Sequence, residues 1–277
     1  MNKERVLITV KTYPTLSRKY GETVCTAGVR EDGSWVRIYP VPFRRLDQKE
    51  QYHKYDWLEC RLARNPSDPR PETFRPIDEH ELIAVDHIDT SNNWGARRRI
   101  LLETARVYDR LDDLIASAKA NTASLAVFRP SKILDFYSEV EERVWDPERV
   151  KQMREATKQY DLFADNTWRE TFKVIDKLPY SFTYRFEDAA GRQSDLQVLD
   201  WEAGALYWNC LRRANGDEPT ALAKVHKKYF DEFLQTDLHF FLGTTQQFHF
   251  VAPNPWVIVG VLPIPPEKQL GLFGTAT

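Results

Sequence analysis

Tyr180-Ser181-Phe182-Thr183-Tyr184-Arg185-Phe186-Glu187 alternates aromatic and polar side chains at every step. Strict alternation of period two predicts a β-strand with one apolar and one polar face. Residues 189–192 supply a turn, and Leu196 to Leu199 supply a returning strand. The stretch therefore predicts a β-hairpin, around which the last third of the chain is organised.

Helices and further strands follow this hairpin. Trp201 to Arg213 predicts a helix that stops at Ala214-Asn215-Gly216, because glycine there permits a left-handed cap. Asp217-Glu218-Pro219 starts a second helix, which extends to about Gln235. Three more strands are predicted at residues 238–242, 247–251 and 256–262. The last third of the chain is therefore mixed in secondary structure.

The first 90 residues predict short strands separated by turns. Arg30-Glu31-Asp32-Gly33 is a tight-turn signal, because Asp-Gly supplies the backbone that hairpins need. The predicted strands cover residues 6–11, 22–29, 34–41, 55–63 and 81–88, with a proline-rich loop at 65–76. Five short strands in this length favour a small β-barrel or a strongly curved sheet, of OB-like or PUA-like type.

The middle of the chain predicts helices. One apolar face recurs at spacings of three and four from about residue 96 to 120, formed by Leu101, Ala105, Tyr108, Leu111 and Ile115. Asp146-Pro147-Glu148 starts a helix that runs to about Tyr160. The expected fold is α+β, divided into a small β-rich domain (1–92), a helical segment (93–165), a mixed α+β domain (166–266) and a tail (267–277).

Composition excludes several classes of protein. The chain has 277 residues, 13% aromatic residues and a formal net charge of −2, which argues against a disordered chain and against one that is basic throughout. We find no membrane-spanning run and no signal peptide. Three widely spaced cysteines predict neither a disulfide framework nor a cysteine zinc site, so we expect a reduced cytoplasmic protein. The sequence assigns no metal site and leaves the cofactor unknown.

The end of the sequence carries the most specific motif, Gln269-Leu270-Gly271-Leu272-Phe273. Gln-Leu-x-Leu-Phe resembles the motif by which bacterial replication, repair and DNA-modification proteins bind the sliding clamp. The resemblance implies that Gln269 anchors the peptide by amide hydrogen bonds and that Leu270, Leu272 and Phe273 fill a hydrophobic pocket. Gly271 departs from the usual Ser or Asp, and glycine adds an ordering cost. The alternative is that the three apolar residues pack on their own domain as a last strand.

Local charge and aromatic content predict contacts with nucleic acid. Residues 95–110 hold five arginines and two acids, whereas residues 135–148 hold six acids and one arginine. The segment 35–45 mixes aromatic residues with arginines, so bases could stack on rings while guanidinium groups hold phosphates. The candidate nucleic-acid-binding residues are Trp35, Arg37, Tyr39, Arg44, Arg45, Arg97, Arg98 and Arg99. The alternatives are solvated charged faces and a strand whose aromatic residues cover one end of the core.

No complete catalytic signature is present, but three weaker arrangements are. Cys25, with Glu22 nearby in the sequence, is a candidate nucleophile, although a free cysteine is more often a small buried residue. Asp200 and Glu202 could hold a divalent metal or act as acid and base, although they also suit the start of a helix. His239 is a weak candidate, with Asp237 and His249 as possible co-ligands.

The blocks Val10-Lys11-Thr12-Tyr13-Pro14, Glu22-Thr23-Val24-Cys25 and Asp200-Trp201-Glu202 vaguely resemble uncharacterised proteins of bacterial DNA-modification and phage-defence gene clusters. Together with the tail motif, this resemblance predicts a bacterial DNA-transaction protein that contacts nucleic acid and is recruited to the sliding clamp. The alternatives are an enzyme acting on a nucleobase or nucleotide, through modified-base synthesis or nuclease-type chemistry, and a subunit of a larger assembly.

Overall fold

Two β-sheets face each other across a shared apolar core. The structure is a computed structural model that describes residues 3–17, 21–41, 43, 46, 51–78, 81–160 and 174–266. Helices cover the outer face of the second sheet. The chain is therefore α+β, as its sequence predicts, and one of its two mixed sheets is curled and half-barrel-like.

The first sheet is built from the N-terminal strands. Its strands are β1 (Glu4–Lys11), β2 (Thr15–Ser17), β3 (Gly21–Val29), β4 (Trp35–Val41), β5 (Asp56–Cys60), β6 (Leu62–Arg64), β7 (Thr73–Pro76) and β8 (Ile83–His87). They follow the order β6-β7-β4-β3-β1-β5-β8, with β2 paired to β3. Each strand predicted in this region is present, but the expected long loop at 65–76 ends in β7, which pairs in parallel with β4.

The second sheet takes its strands from the middle and the end of the chain. They are β9 (Val107–Tyr108), β10 (Leu125–Phe128), β11 (Lys132–Val140), β12 (Tyr180–Glu187), β13 (Gln193–Val198), β14 (Asp237–Thr244) and β15 (Trp256–Ile264). Their order is β11-β12-β13-β15-β14-β10-β9. The predicted hairpin is confirmed as β12–β13, in which Phe182 pairs with Val198 and Tyr184 with Leu196.

In the part of the chain that the structure describes, five α-helices connect or cover the sheets. They are α1 (Ser91–Arg98), α2 (Leu111–Lys119), α3 (Pro147–Tyr160), α4 (Trp201–Arg213) and α5 (Glu218–His226). A π-helical turn, Arg99–Thr104, extends α1, and a second one, Lys227–Glu232, extends α5. None of the helices within the described residues is long and apolar enough to cross a membrane.

The sequence prediction of a helical segment over 93–165 is wrong. The predicted helix from 96 to 120 is interrupted at Ala105, whose backbone is extended, and β9 follows. Strands β10 and β11 also lie in this range and belong to the second sheet, which crosses the expected boundary at 165. The predicted strand at 247–251 is instead a turn.

Apolar side chains from both sheets fill most of the space between them. Leu7 and Val29 of the first sheet pack with Val127, Phe241 and Val259 of the second. On the far side of the second sheet, α4 and α5 cover the aromatic face of the hairpin, which is formed by Tyr180, Phe182, Tyr184 and Phe186. The two halves of the chain therefore fold around a common core.

A direct backbone link fixes α4 against the first sheet. The Tyr13 amide donates to the Leu199 carbonyl at 2.9 Å, and Thr12 forms an isolated β-bridge with Asp200. The Tyr13 ring lies so close to Gly204 of α4 that a Cβ there would be 2.4 Å from the ring atom Cδ2. Glycine at this position lets the helix approach the end of β1, which places Asp200 beside the first sheet.

Candidate functional site

A cavity of about 400 Å³ opens between the two sheets where the apolar core ends. The first sheet contributes lining residues from β1, β3 and β4, and the second from β10, β12, β13, β14 and β15. Most of the wall is apolar, including Val10, Leu125, Val198, Leu199 and Val257. Pockets of about 300–1,000 Å³ with apolar walls and a few converging polar groups are typical of small-molecule sites.

The pairing of β3 with β4 sets one polar wall of the cavity. Ala27 of β3 pairs directly with Arg37 of β4. Cys25 lies two residues before Ala27 and Tyr39 lies two residues after Arg37, and all four residues line the cavity. Val36 and Ile38 point the other way, into a separate apolar cluster. The predicted alternation along β4 is confirmed. The second sheet covers this face, so Arg37 is buried and the face is not an open binding surface.

Arg37 is a buried cation held by neutral oxygens. Its guanidinium donates to Ser124 Oγ at 2.6 Å, to the Ser124 carbonyl at 2.9 Å and to Thr73 Oγ1 at 3.2 Å. Within the described part of the chain, no carboxylate forms a salt bridge with it. Burial, followed by the charge of Arg70, lowers the pKa of Arg37 to about 10. This arginine therefore places an incompletely compensated positive charge at the cavity.

A second buried arginine behaves differently. Arg70 also lines the cavity, but its guanidinium bonds both oxygens of buried Asp68. Glu72 accepts hydrogen bonds from the Ser124 backbone amide and hydroxyl, so its carboxylate is linked to the Arg37 guanidinium through that hydroxyl, and its backbone carbonyl accepts from the Arg37 backbone amide at 2.8 Å. The Arg70 guanidinium thus forms a direct salt bridge with Asp68. Among the described residues, the Arg37 guanidinium is linked to the Glu72 carboxylate through the Ser124 hydroxyl.

Asp200, at the other end of the cavity, belongs to an ionic cluster at the start of α4. Its carboxylate caps the helix by accepting from the Glu202 amide, and it bonds Lys54 Nζ at 2.9 Å. Glu202 bonds the same ammonium at 3.0 Å. Burial alone lowers the pKa of Lys54, but the two carboxylates outweigh it and hold the pKa above its ordinary value. Burial raises the pKa of Asp200, while Lys54 acts in the opposite direction.

Lys11 lies next to this cluster in a cage of aromatic rings. Its Nζ is 4.4 Å from the ring centroid of Phe43, 5.5 Å from that of Trp201 and 5.9 Å from that of Tyr52. It also donates to the Tyr52 carbonyl at 3.1 Å. Burial, followed by repulsion from Lys54, lowers the pKa of Lys11. Neither lysine could be identified from the sequence as part of a site, because the partners of both are far away in the chain.

The candidate catalytic residues do not converge. Cys25 is half-buried in the cavity wall and Asp200 lines the far end, whereas Glu22 is buried and accepts from the Ile175 amide. Glu202 is largely exposed and bonded to Lys54. His239 is buried with Nδ1 on the Asp237 carbonyl, and burial lowers its pKa. Within the described residues, no three His, Cys, Asp or Glu side chains group closely enough to hold a metal ion.

The structure also separates the candidate nucleic-acid residues. Trp35 packs edge-on against Phe241. Arg97 is buried, donates to the Ile88 carbonyl and stacks on Tyr55 at 3.6 Å. Arg98 donates to the Asn93 carbonyl, and only Arg99 of the three consecutive arginines is exposed. Two of the three guanidinium groups expected to form a phosphate-binding stripe at 97–99 therefore donate to backbone carbonyls within the fold. Residues outside the described part are Arg44, Arg45, Gln269, Leu270, Leu272 and Phe273.

Two family models cover nearly the whole chain. Residues 2–103 match a domain of unknown function, DUF8758, and residues 108–277 match a second, DUF8757. The second match spans more than half of the sequence. The chain belongs to the DUF8757 family. No curated protein matches it. The two matched regions meet between α1 and α2, and each supplies one of the two sheets that enclose the cavity.

Proposed function

We propose that the cavity binds one nucleotide, with its anionic phosphate directed to Arg37. The observation that carries this proposal is the buried guanidinium of Arg37, which lines the cavity and has no carboxylate in direct contact among the described residues. A buried cation is stabilised by an anion that reaches it, and the planar fork of arginine suits phosphate oxygens. Burial is the main cause of the lowered pKa of Arg37, and the charge of Arg70 adds to it, while Glu72 and Asp68 act in the opposite direction.

The remaining walls suit the base of that nucleotide. Val10 and Val257 offer apolar surfaces against which a flat heteroaromatic ring packs. Gln197 and Tyr39 supply an amide and a hydroxyl among the lining groups, which can bond polar edges. The volume of about 400 Å³ falls within the range of small-ligand sites.

Calorimetry with a panel of nucleotides tests this proposal directly. We expect nucleoside monophosphates to bind about 10- to 100-fold more tightly than the matching nucleosides, because a charge-assisted hydrogen bond contributes about 1.5–3 kcal/mol. Two variants at one position provide the control: Cys25→Phe fills the cavity and should abolish binding, whereas Cys25→Ser leaves the space open and should retain it. Equal affinity for nucleosides and monophosphates, or unchanged binding by Cys25→Phe, contradicts the proposal.

An enzyme acting on a nucleobase or nucleotide is the second candidate function. It is favoured by the position of Cys25, which is a free, half-buried thiol in the wall of the same cavity. Activity of this kind would disappear in Cys25→Ser while nucleotide binding stays. If Cys25→Ser converts bound nucleotides at the wild-type rate, Cys25 is not the nucleophile.

We propose further that this nucleotide site serves a cytoplasmic DNA-modification, repair or phage-defence protein of bacteria. The support is the tail motif Gln269 to Phe273, which follows Pro265-Pro266 after the end of β15. An OB-like or PUA-like identity of the first sheet is part of the same proposal, and its eight short strands within residues 4–87 support that identity.

Clamp recruitment predicts binding by a peptide of residues 265–277. We expect Leu272→Ala with Phe273→Ala to weaken its affinity for a bacterial sliding clamp by about 30-fold or more, since anchors of this type each contribute about 2 kcal/mol. Fluorescence anisotropy of the labelled peptide measures the effect. Thr275→Ala with Thr277→Ala, in the same peptide, should bind as the wild type does. A wild-type peptide that binds no better than the doubly truncated one contradicts recruitment by this motif.

A further inference from the structure

The loop between β14 and β15 exposes three large apolar side chains. We call residues 244–255 the aromatic loop. Phe248 is 47% exposed, Phe250 is 52% exposed and Val251 is 74% exposed. Single exposed apolar residues are ordinary on protein surfaces, but three within four positions form a patch of the kind that marks an interaction site.

This loop is firmly anchored. His249 is buried, with Nδ1 bonded to Thr244 Oγ1 at 2.9 Å and Nε2 bonded to Asn121 Oδ1 at 3.0 Å. Gln246 donates to the Ser67 carbonyl at 2.7 Å. The His249 ring also contacts Phe250 edge-on, with a centroid distance of 4.5 Å. The exposed rings are therefore held in place before any partner arrives, which lowers the entropic cost of binding.

The base of the aromatic loop is also part of the cavity. Thr244, Thr245 and Gln246 line it, and the Thr244 carbonyl accepts hydrogen bonds from both Arg37 and Arg70. The Thr245 hydroxyl is buried and has no hydrogen-bond partner among the described residues. One short segment thus connects the buried arginines to the exposed rings. A ligand that occupies the cavity lies against the base of this loop.

The segment is uncharged and therefore does not repel a polyanionic ligand. Residues 245–266 contain no Asp, Glu, Lys or Arg, so the aromatic loop brings no carboxylate toward a phosphate backbone. Phenylalanine rings stack on nucleobases with little dependence on sequence, because every base has a π-face.

We propose that the aromatic loop stacks against bases that flank the nucleotide in the cavity, so that the site takes its nucleotide from a single-stranded region of a polynucleotide. This inference rests on the proposed nucleotide site and names its substrate class. Phe248 and Phe250 hold the neighbouring bases outside while Arg37 receives a phosphate of the nucleotide within. An apolar loop also suits a lipid surface, and the experiment separates the two.

Binding of a fluorescent single-stranded DNA 12-mer, measured by anisotropy, tests the inference. We expect Phe248→Ala with Phe250→Ala to weaken binding of the 12-mer by about tenfold or more, because each stacked base contributes appreciably to affinity. The same variant should bind a free nucleoside monophosphate within about twofold of the wild type by calorimetry. Val85→Ala, which truncates an exposed apolar residue on β8 away from the cavity lining, is the matched control and should leave both affinities unchanged.

The outcomes separate this inference from the function on which it rests. If the wild type binds the monophosphate but the loop variant binds the 12-mer equally well, the inference fails and the nucleotide site stands. If the wild type binds no monophosphate, the proposed nucleotide site fails. Sedimentation with phosphatidylcholine vesicles that is lost only in the loop variant would overturn the inference in favour of a lipid surface. Since both rings are largely exposed, the variant should keep the wild-type melting temperature.

Discussion

We expect Asp200→Asn to lower the free energy of unfolding by about 3–5 kcal/mol, the usual cost of removing one partner from a buried ion pair. The side chains of Lys54 and Asp200 are 5% and 1% exposed, and their charged atoms are 2.9 Å apart. Asparagine has nearly the same shape, so the change removes charge without opening a cavity. It leaves the Lys54 ammonium buried with only the exposed Glu202 carboxylate beside it. Urea denaturation followed by tryptophan fluorescence measures the loss.

Glu202→Gln is a closely matched control for this prediction. Glu202 bonds the same Lys54 ammonium at nearly the same distance, 3.0 Å, but its side chain is 58% exposed. Water can replace most of that interaction, so we expect a loss within about 1 kcal/mol. Equal losses of unfolding free energy for Asp200→Asn and Glu202→Gln would contradict the prediction, because burial of Asp200 would then not determine how strongly its ion pair with Lys54 stabilises the protein. The double change Lys54→Met with Asp200→Leu should regain much of the lost stability, because it leaves no buried charge behind.

Secondary structure could be predicted where a pattern within a few neighbouring residues was sufficient to identify the strand or helix. The β12–β13 hairpin and helix α4 were found from alternation and from caps, which depend on a few neighbouring residues. For the helix predicted from 96 to 120, a local pattern was not sufficient. Leu101 and Ala105 are buried in the core between the sheets, whereas Leu111 and Ile115 are buried beneath the second sheet. The apolar spacing correctly indicated burial but joined two separate elements.

Much of the site depends on contacts that no local pattern reveals. Arg37 reaches Ser124 across 87 positions, and Lys54 reaches Asp200 across 146. Alternation along β4 placed Arg37 on a separate face from Val36, but the sequence could not show that a second sheet covers that face. Phe248 and Phe250 alternate as in a strand, yet it is His249 between them that is buried. Its two hydrogen bonds decide the shape of that loop.

Arg37→Met should weaken binding of a nucleoside monophosphate by about 30-fold or more. Truncating one partner of a buried, hydrogen-bonded charge pair costs about 2–5 kcal/mol, and methionine fills much of the space of the arginine stem. Arg37→Lys keeps the charge but loses the planar fork, so its affinity should lie between those of the wild type and Arg37→Met. Calorimetry with a monophosphate and its nucleoside measures the loss, which should be confined to the monophosphate.

Arg97→Met is the matched control, because Arg97 is also buried and bonded to a backbone carbonyl but does not line the cavity. Its affinity for the monophosphate should equal that of the wild type. Arg37→Met should lower the free energy of unfolding by about 1–3 kcal/mol, which is less than the loss expected for Asp200→Asn. The reason is that Arg37→Met leaves unpaired neutral oxygens and not a buried charge. If Arg37→Met binds the monophosphate as tightly as Arg97→Met does, the buried guanidinium serves only to join the two sheets through Ser124 and the Thr244 carbonyl, and the anion must bind elsewhere.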